Sequence, residues 1–328
     1  MQISGGVTLS GGVNLAPGSG GSSSSQSLSY GYVSGGYSPS SLPPTYVDDQ
    51  IQKFSFSSDS DATDVGDLTV GRKWVSGQSS AVSGYTSGGD TSIPSTNDQT
   101  IIDKFPFASD GNATDVGDLT IFFQLWGRSK ATGQSSTDNG YTSGGQGNNY
   151  ETSIDKFPFS SDSNATIIGD LTVQKNFPAG QSSADNGYCS GGKDMTNSSV
   201  EVNIIDKFPF SSDNDATDVG DLTVARDAAS GQSSTTHGYT SGGAPNKNII
   251  DKFPFASDAN ATDVGDLIDT YNSSSGQSSS VSGYASGGSG STPNSWNVIQ
   301  KFSFNTDANA TDVGDLLGPK FHSAGQQG

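Results

Sequence analysis

The sequence predicts an all-β chain folded as a closed ring of six small β-sheets. Three observations point there. The phrase Gly-Tyr-x-Ser-Gly-Gly occurs six times, ending at Gly36, Gly89, Gly145, Gly192, Gly243 and Gly288, at intervals of 53, 56, 47, 51 and 45 residues. Between its copies the same short apolar segments return in the same order, with polarity alternating in steps of two as in a half-buried strand. No stretch carries a sustained helical stripe, and good helix formers are sparse.

Each unit spans about 50 residues and contains four strand candidates. After the double glycine comes a polar stretch of variable length, then Ile-x-Lys-Phe-x-Phe. In the copy at 101–107, Ile101, Phe105 and Phe107 share one parity, which predicts a strand with a packed face. Pro106, Pro158, Pro209 and Pro254 separate the two Phe residues in four units, and Ser55 and Ser303 do so in the others. Proline has no N–H for a ladder, so this position belongs at a strand end or edge. The expected blade core is therefore Phe54, Phe56, Phe105, Phe107, Phe157, Phe159, Phe208, Phe210, Phe253, Phe255, Phe302 and Phe304.

A Ser/Asp/Asn-rich link leads to Ala-Thr-Asp-Val-Gly-Asp-Leu or a near copy, in which Val-Gly-Asp-Leu-Thr is a second short strand with Val116 and Leu119 as its buried points. Gly-Tyr-x-Ser-Gly-Gly is a third. Its closing pairs, Gly35 and Gly36, Gly88 and Gly89, Gly144 and Gly145, Gly191 and Gly192, Gly242 and Gly243, Gly287 and Gly288, permit dihedrals denied to other residues. Gly-Gln-Ser-Ser supplies a fourth. One unit holds too few apolar residues to bury its own face, so its neighbours must supply the other wall. Three or four short strands per period fit a propeller blade, and closure removes exposed sheet edges. An open solenoid usually has a shorter period, and separate small domains would lack apolar content.

This divides the chain into a Gly/Ser-rich arm at 1–24, the six-repeat array at 25–316 and a stub at 317–328. The stub, Pro319 to Gln326 and beyond, reads as the opening of a seventh unit. It either pairs with the first blade to lock the ring or meets a partner.

Composition limits the functions open to such a chain. Only 30% of the 328 residues are apolar, close to where disorder competes, but disordered chains do not repeat aromatic residues at steady intervals. Fifteen basic against 34 acidic residues give a net charge of -19, which opposes nucleic acid and anionic membrane surfaces as partners. Cys189 is the sole cysteine, so neither an intramolecular disulfide nor a cysteine-based zinc cluster can form. No apolar run is long enough to insert in a bilayer as a helix. The first residues lack the basic start and apolar run of a secretory signal, so the expected route to an extracellular site is another one, such as lysis.

The order Gly-Gln-Ser-Ser, Gly-Tyr-x-Ser-Gly-Gly, Ile-x-Lys-Phe-x-Phe and Val-Gly-Asp-Leu resembles a kelch repeat over residues 26–316. The double glycines and the aromatic at Phe54, Phe105, Phe157, Phe208, Phe253 and Phe302 carry the resemblance. The family's tryptophan in the last strand is missing, and Leu68 and its copies stand nearest. The resemblance implies a six-bladed kelch-like β-propeller with short blades. The phrasing is also similar to kelch-like proteins of marine phages and environmental genomes. That similarity implies a non-enzymatic structural or adhesive component of a virion appendage (tail, fibre or head-attached) with a role in host attachment. It implies a virion or extracellular location, and other virion or surface-assembly proteins, a host surface glycan or further copies of the chain as partners.

Candidate chemistry is of three kinds. The acidic turns Asp59, Asp61, Asp64, Asp67; Asp110, Asn112, Asp115, Asp118; Asp213, Asp215, Asp218, Asp221; Asp258, Asn260, Asp263, Asp266; and Asp307, Asn309, Asp312, Asp315 place oxygen ligands closely enough for calcium. The same residues also build tight turns by bonding to nearby amides. The third unit separates the readings, because it keeps Asp162, Asn164 and Asp170 but has Ile167 where the others have aspartate. Lys53, Lys104, Lys156, Lys207, Lys252 and Lys301 recur at one position, with the aspartate of Val-Gly-Asp-Leu as expected partner, Lys104 with Asp118 for example. His237 and His322 do not recur, which argues against a Ser-His-Asp triad and for a chain that is not an enzyme. Contact surfaces are expected at the departures from the repeat: residues 1–24, the 121–130 excursion with Phe122, Phe123 and Trp126, and the stub. A class-different alternative is a carbohydrate-binding or carbohydrate-active propeller, with a cleft holding Trp74, Trp126 or Trp296 beside carboxylates.

Overall fold

The computed structural model describes residues 28–39, 46–91, 97–120, 127–147, 151–196, 199–290 and 296–328. The 1–24 arm and the contact candidates Phe122, Phe123 and Trp126 lie outside them. The fold is all-β, and among the described residues it contains six four-stranded antiparallel sheets. The first takes β1 (Tyr30–Ser34), β2 (Gln50–Ser55), β3 (Thr63–Asp67) and, from the far end of the chain, β29 (Ala324–Gln327). The second runs β4 (Ser76–Ser79), β5 (Ser83–Ser87), β6 (Ile101–Pro106), β7 (Thr114–Asp118); the third β8 (Thr132–Ser135), β9 (Asn139–Ser143), β10 (Ser153–Pro158), β11 (Thr166–Asp170). Between the third and fourth sheets β12 (Lys175–Asn176) begins a small sheet completed by β15 (Lys193–Asp194) and β16 (Val200–Glu201). The fourth sheet is β13 (Ala179–Ser182), β14 (Asn186–Ser190), β17 (Ile204–Pro209), β18 (Thr217–Asp221), and the fifth β19 (Ser230–Ser233), β20 (His237–Ser241), β21 (Ile249–Pro254), β22 (Thr262–Asp266). A two-stranded pair, β23 (Tyr271–Asn272) with β26 (Ser289–Gly290), flanks the sixth sheet of β24 (Ser275–Ser278), β25 (Ser282–Ser286), β27 (Val298–Ser303) and β28 (Thr311–Asp315).

Each four-stranded sheet thus has Gly-Gln first, Gly-Tyr second, Ile-x-Lys-Phe third and Thr-x-x-Gly-Asp fourth. The stub supplies the first strand of the first sheet, with Gly31 opposite Gln327 and Ser34 opposite Ala324. The proline of the third strand ends it, Pro106 facing Ser83. The fourth strand begins at Thr114, two residues ahead of the expected Val116, and Leu119 lies buried just beyond its end.

The six first strands touch one another in cyclic order, and β29 meets both β24 and β4. Their glycines allow this approach. A Cβ on Gly133 would lie 2.0 Å from the Gly77 carbonyl oxygen, and one on Gly77 would lie 2.3 Å from that of Gly325. The glutamine after each of these glycines reaches the following sheet. Gln78 Nε2 donates to the Tyr141 carbonyl at 3.0 Å, Gln277 Nε2 to that of Tyr32 at 3.1 Å, and Gln326 Nε2 to that of Tyr85 at 3.0 Å.

The core lies between consecutive sheets, so each sheet is packed on both faces, whereas the alternation predicts one. Phe105 and Phe107 face the preceding sheet, where Tyr32 stacks on Phe107 at 4.9 Å and meets Phe105 at 5.6 Å. Ile102, not Ile101, is fully buried, and it faces the next sheet beside Leu119 and Phe157. The pattern closes, because Tyr284 of the sixth sheet stacks on Phe56 of the first at 4.6 Å. Burial raises the hydroxyls of Tyr32, Tyr188, Tyr239 and Tyr284 to about 12. Gly84 lies directly under the Phe105 ring, which fills the place of its missing side chain.

Charges also join sheets. The repeated lysine pairs across the interface, not within its own sheet as expected: Lys104 Nζ lies 3.0 Å from Asp162 and not on Asp118, because its strand face is turned to the next unit. Lys53 meets Asp110 at 2.9 Å, Lys156 meets Asp213 at 2.9 Å, Lys207 meets Asp258, Lys252 meets Asp307 at 2.9 Å, and Lys301 closes the cycle on Asp59 at 3.2 Å. The carboxylates are more than half exposed, so each pair contributes at most about 1 kcal/mol.

A second set is buried and was missed in the sequence. Asp103, Asp155, Asp206 and Asp251 occupy the x of Ile-x-Lys-Phe with no exposed surface. They meet Arg72 at 3.1 Å, Arg128 at 3.1 Å, Lys175 at 3.1 Å and Arg226 at 2.9 Å, each from the preceding unit. Thr69, Thr120, Thr172 and Thr223 donate hydroxyls to the same carboxylates. In the first and sixth units this aspartate is Gln52 or Gln300, and the preceding threonine is then Leu317 or Ile268, whose backbone N–H donates to the glutamine Oε1. Across from Gln300 the cation is replaced by Tyr271. Across from Gln52 stands Lys320, which pairs instead with Asp48 at 3.1 Å. Aspartate and threonine thus change together at both interfaces, and the cation is either replaced, by Tyr271, or paired elsewhere, as Lys320 is with Asp48, as the high cost of an unpaired buried charge requires.

Candidate functional site at the mouth of the axial cavity

Strand polarity sorts the connections onto two ends. At one end the turns from first to second strand have three residues in the second to sixth sheets, as at 80–82 and 136–138. The links from third to fourth strand have seven in all six, as at 56–62 and 107–113. At the other end, second-to-third connections range from the seven residues 242–248 to the fifteen residues 35–49. The passages between sheets lie at this same end. Length variation is therefore confined to one face.

The six first strands enclose a cavity of about 160 Å³ on their common axis, lined from Trp74 and its equivalents at the variable face, the end called its mouth, to the serines at the far end of the strands. Six residues just ahead of the first strands form the mouth: Trp74, Lys130, Phe177, Ala228, Ser273 and His322. All have positive φ, from 52° to 61°. Their backbones form a ring in which Lys130 N–H donates to Trp74 C=O, Phe177 to Lys130, Ala228 to Phe177, Ser273 to Ala228, His322 to Ser273 and Trp74 to His322, all at 2.7–3.0 Å. At the far end of the strands a second ring runs in the opposite sense. There Ser79, Ser135, Ser182 and Ser233 N–H groups donate to the next serine Oγ at 2.9–3.0 Å. Ser278 N–H donates to Gln327 Oε1 at 3.3 Å, and Gln327 N–H returns to Ser79 Oγ at 3.1 Å.

The mouth is six-fold in backbone and asymmetric in side chain. Trp74, Phe177 and His322 form one wall, with ring centroids 6.1, 5.6 and 5.9 Å apart. Lys73 Nζ and Lys130 Nζ lie 4.4 and 4.6 Å from the centre of the Trp74 ring. Ala228 and Ser273 leave the other side low. Lys130 Nζ donates to Gln146 Oε1 at 2.6 Å, while the Trp74 indole N–H is buried and meets no protein acceptor among the described residues.

Electrostatics set this place apart from an acidic chain. No carboxylate lines the cavity among the described residues. Desolvation, with Lys73 and Lys130 adding, holds His322 neutral by lowering its imidazole to about 3. Desolvation also lowers both lysines. Behind them lie Asp90 and Asp98. Desolvation raises Asp98 to about 6 against the Ser129 hydrogen bond, and Asp90 adds to the rise.

The residues singled out in sequence fall elsewhere. The links that begin the acidic turns lie at the end opposite the mouth, and each group runs along the fourth strand to Asp67, Asp118, Asp221, Asp266 or Asp315 at the strand's other end, all engaged in contacts within and between units. Besides the aspartates bound to lysine, Asn112, Asn164, Asp215, Asn260, Asn309 and Asp61 accept the backbone N–H of the preceding unit's Asp67, Asp118, Asp170, Asp221, Asp266 and Asp315 at 3.0–3.2 Å. Asp64, Asp115, Asp218, Asp263 and Asp312 accept the glycine N–H two residues on. In the third unit Ile167 takes that place, and Gly169, unlike its equivalents, has no positive φ. Among the described residues no three His, Cys, Asp or Glu side chains converge as a metal site requires. Trp296 packs edge-on against Phe321 and donates to the Gly290 carbonyl, away from the cavity lining. The excursion that holds Phe122, Phe123 and Trp126 leaves and returns on the mouth face, where Gly127 N–H donates to the Asp98 carbonyl.

The sequence offered Trp74 as one of three tryptophans for a carbohydrate cleft and His322 as a non-recurring histidine in the stub, without bringing the two together. Their shared site could have been found by aligning the residue three ahead of each Gly-Gln of the first strands, a column that differs in all six units. No protein-family model matches the chain, and no curated protein matches it significantly.

Proposed function

We propose that the chain is a six-bladed kelch-like β-propeller serving as a rigid, non-enzymatic structural or adhesive module with one working face, set in a virion appendage. The observation that carries this reading is the division between the two ends. The recurring polar side chains are engaged in contacts between units, and variation in length and chemistry collects at the mouth face. The virion setting rests on the resemblance of the repeat. Footprinting in the native assembly tests the reading. Single cysteines placed at Thr91 on the mouth face and at Asp138 on the opposite end are labelled before and after assembly. Protection of the mouth face alone is expected, and equal labelling of both would overturn the single working face.

A second reading, a carbohydrate-binding propeller, is favoured by one observation: Trp74, Phe177 and His322 wall a polar cavity at the centre of the variable face. A glycan array probed with the purified chain tests it. Binding that disappears in Ala228→Trp, which fills the low side of the mouth, would favour it over the purely structural reading.

A further inference from the structure

Each of the six first strands turns one backbone donor toward the axis. The connection from first to second strand closes with a hydrogen bond from Ser80 N–H to the Ser83 carbonyl at 2.9 Å, matched in every sheet, with Gly328 N–H on the Tyr30 carbonyl at 3.0 Å in the first. Bonded pairs alternate along an antiparallel ladder, so Gln78 bonds Tyr85, whereas Gly77, opposite Thr86, directs its N–H away from the sheet. The same register does this for Gly133, Gly180, Gly231, Gly276 and Gly325. All six line the axial cavity, and each keeps accessible surface while the residues on either side of it are buried. Their carbonyl oxygens are turned onto the next glycine in the ring, within 2.0–2.3 Å of where its Cβ would stand. Their N–H groups bond no acceptor of the chain among the described residues, and a backbone donor in the interior needs one.

We propose that the cavity binds a monatomic anion of chloride's size on its axis, level with these six N–H groups. Six N–H dipoles set around one point present their positive ends together, as anion-binding backbone concavities do. Lys130 lines the same cavity and no carboxylate does among the described residues, so the donors are unopposed there in a chain of net charge -19. The ligand is small, because Phe177 and His322 meet across the axis at the mouth with ring centroids 5.9 Å apart. Through Gly325 the ion ties the closing strand to the other five, so it acts on the stability of the ring. The inference goes beyond both functional readings and rests on neither.

Alanine at any of these glycines would break the ring itself, so the ion is read directly. Crystals of the full chain soaked in sodium bromide should give an anomalous peak on the axis, level with the six glycines. No peak there, as for water alone, or a peak only beside the Lys130 ammonium, would overturn the assignment. So would a rubidium peak at that level from crystals soaked in a rubidium salt, since a cation there requires inward-facing carbonyls. Thermal unfolding in sodium chloride and in sodium gluconate at equal ionic strength carries the test into solution, because gluconate is too large for the cavity. Chloride at tenfold its dissociation constant should raise Tm by about 3 °C over gluconate. Equal Tm in the two salts would mean binding at crystal concentration only and would overturn the site as one that the ring uses.

Discussion

Asp251→Gln, made alone, should destabilise the chain severely, yet the same change should be tolerated when two residues of the preceding unit change with it. In the native interface the Asp251 carboxylate accepts the Thr223 N–H at 2.9 Å and hydroxyl at 2.7 Å and the Arg226 guanidinium at 2.9 Å, all with Arg226 and Asp251 fully buried. Glutamine leaves the guanidinium desolvated without a counter-ion, a loss of about 3–5 kcal/mol. At about 2 °C per kcal/mol for a chain of this size, Tm should fall by about 6–10 °C. The chain itself contains the remedy. At the next interface Gln300 is met by Ile268 and Tyr271, so Thr223→Ile with Arg226→Tyr should bring Asp251→Gln back to within about 1 kcal/mol of the parent. Urea unfolding of the parent, the single variant and the triple variant measures this directly. A single variant costing less than about 1 kcal/mol, or a triple variant no more stable than the single, would refute the claim that these residues form one exchangeable unit.

Other perturbations read separate parts of the structure. Gly133→Ala places a Cβ 2.0 Å from the Gly77 carbonyl oxygen, so it should cost several kcal/mol, at least as much as overpacking a core (about 1–3 kcal/mol), with loss of folded yield checked by circular dichroism. Removing residues 324–328 strips the first strand from the first sheet and the Gln326 bonds to Ser34 and Tyr85. Proteolysis should then begin near Tyr30 and Gln50, and parent-like resistance would count against closure by this strand. His322 has a folded-state pKa of about 3, below its ordinary value of 6.5, so the unfolded chain binds the extra proton between those values. Its contribution to stability is therefore present above pH 6.5 and lost as pH falls toward 3. Asp98, raised to about 6, acts in the opposite sense. Comparing Tm at pH 7.5 and 4.5, the parent should lose more than His322→Phe, and equal losses would exclude His322 as the source.

The all-β class and the repeat were legible because each unit states its strands with the same residues, and a period near 50 residues left little choice of architecture. Phe105 and Leu119 could be read as core for that reason. The double-faced packing was hidden. Asp103 and Lys104 look like a polar interruption of a half-buried strand, whereas they are the charges that face the preceding and following units. The lysine partner was mistaken because Asp118 is near in sequence, and Asp162 comes near only when the next unit is laid against it. The mouth was harder still. Residue type does not mark Trp74, Ala228 and His322 as equivalent; only their common place three residues ahead of Gly-Gln does, and it gains meaning from a shared backbone conformation and a place around an axis.

That backbone conformation makes the mouth informative. Positive φ favours glycine, and to a lesser degree asparagine, because a Cβ crowds the backbone there; other residues bear about 1–3 kcal/mol of strain. The chain has 44 glycines and places them at many of its other positive-φ positions, yet none occupies any of the six mouth positions. A ring selected for stability alone would have used glycine there. Ala228 offers the cleanest test, since its side chain is only a methyl group and its φ is 52°. Ala228→Gly relieves the strain and loses about 0.4–1 kcal/mol to the greater freedom of the unfolded chain, so a net gain between zero and about 2.5 kcal/mol is expected. Urea unfolding would show it as a higher midpoint with an unchanged slope. A destabilisation of more than about 1 kcal/mol would mean that the methyl group is required for packing, and the absence of glycine from the mouth would then need no functional explanation.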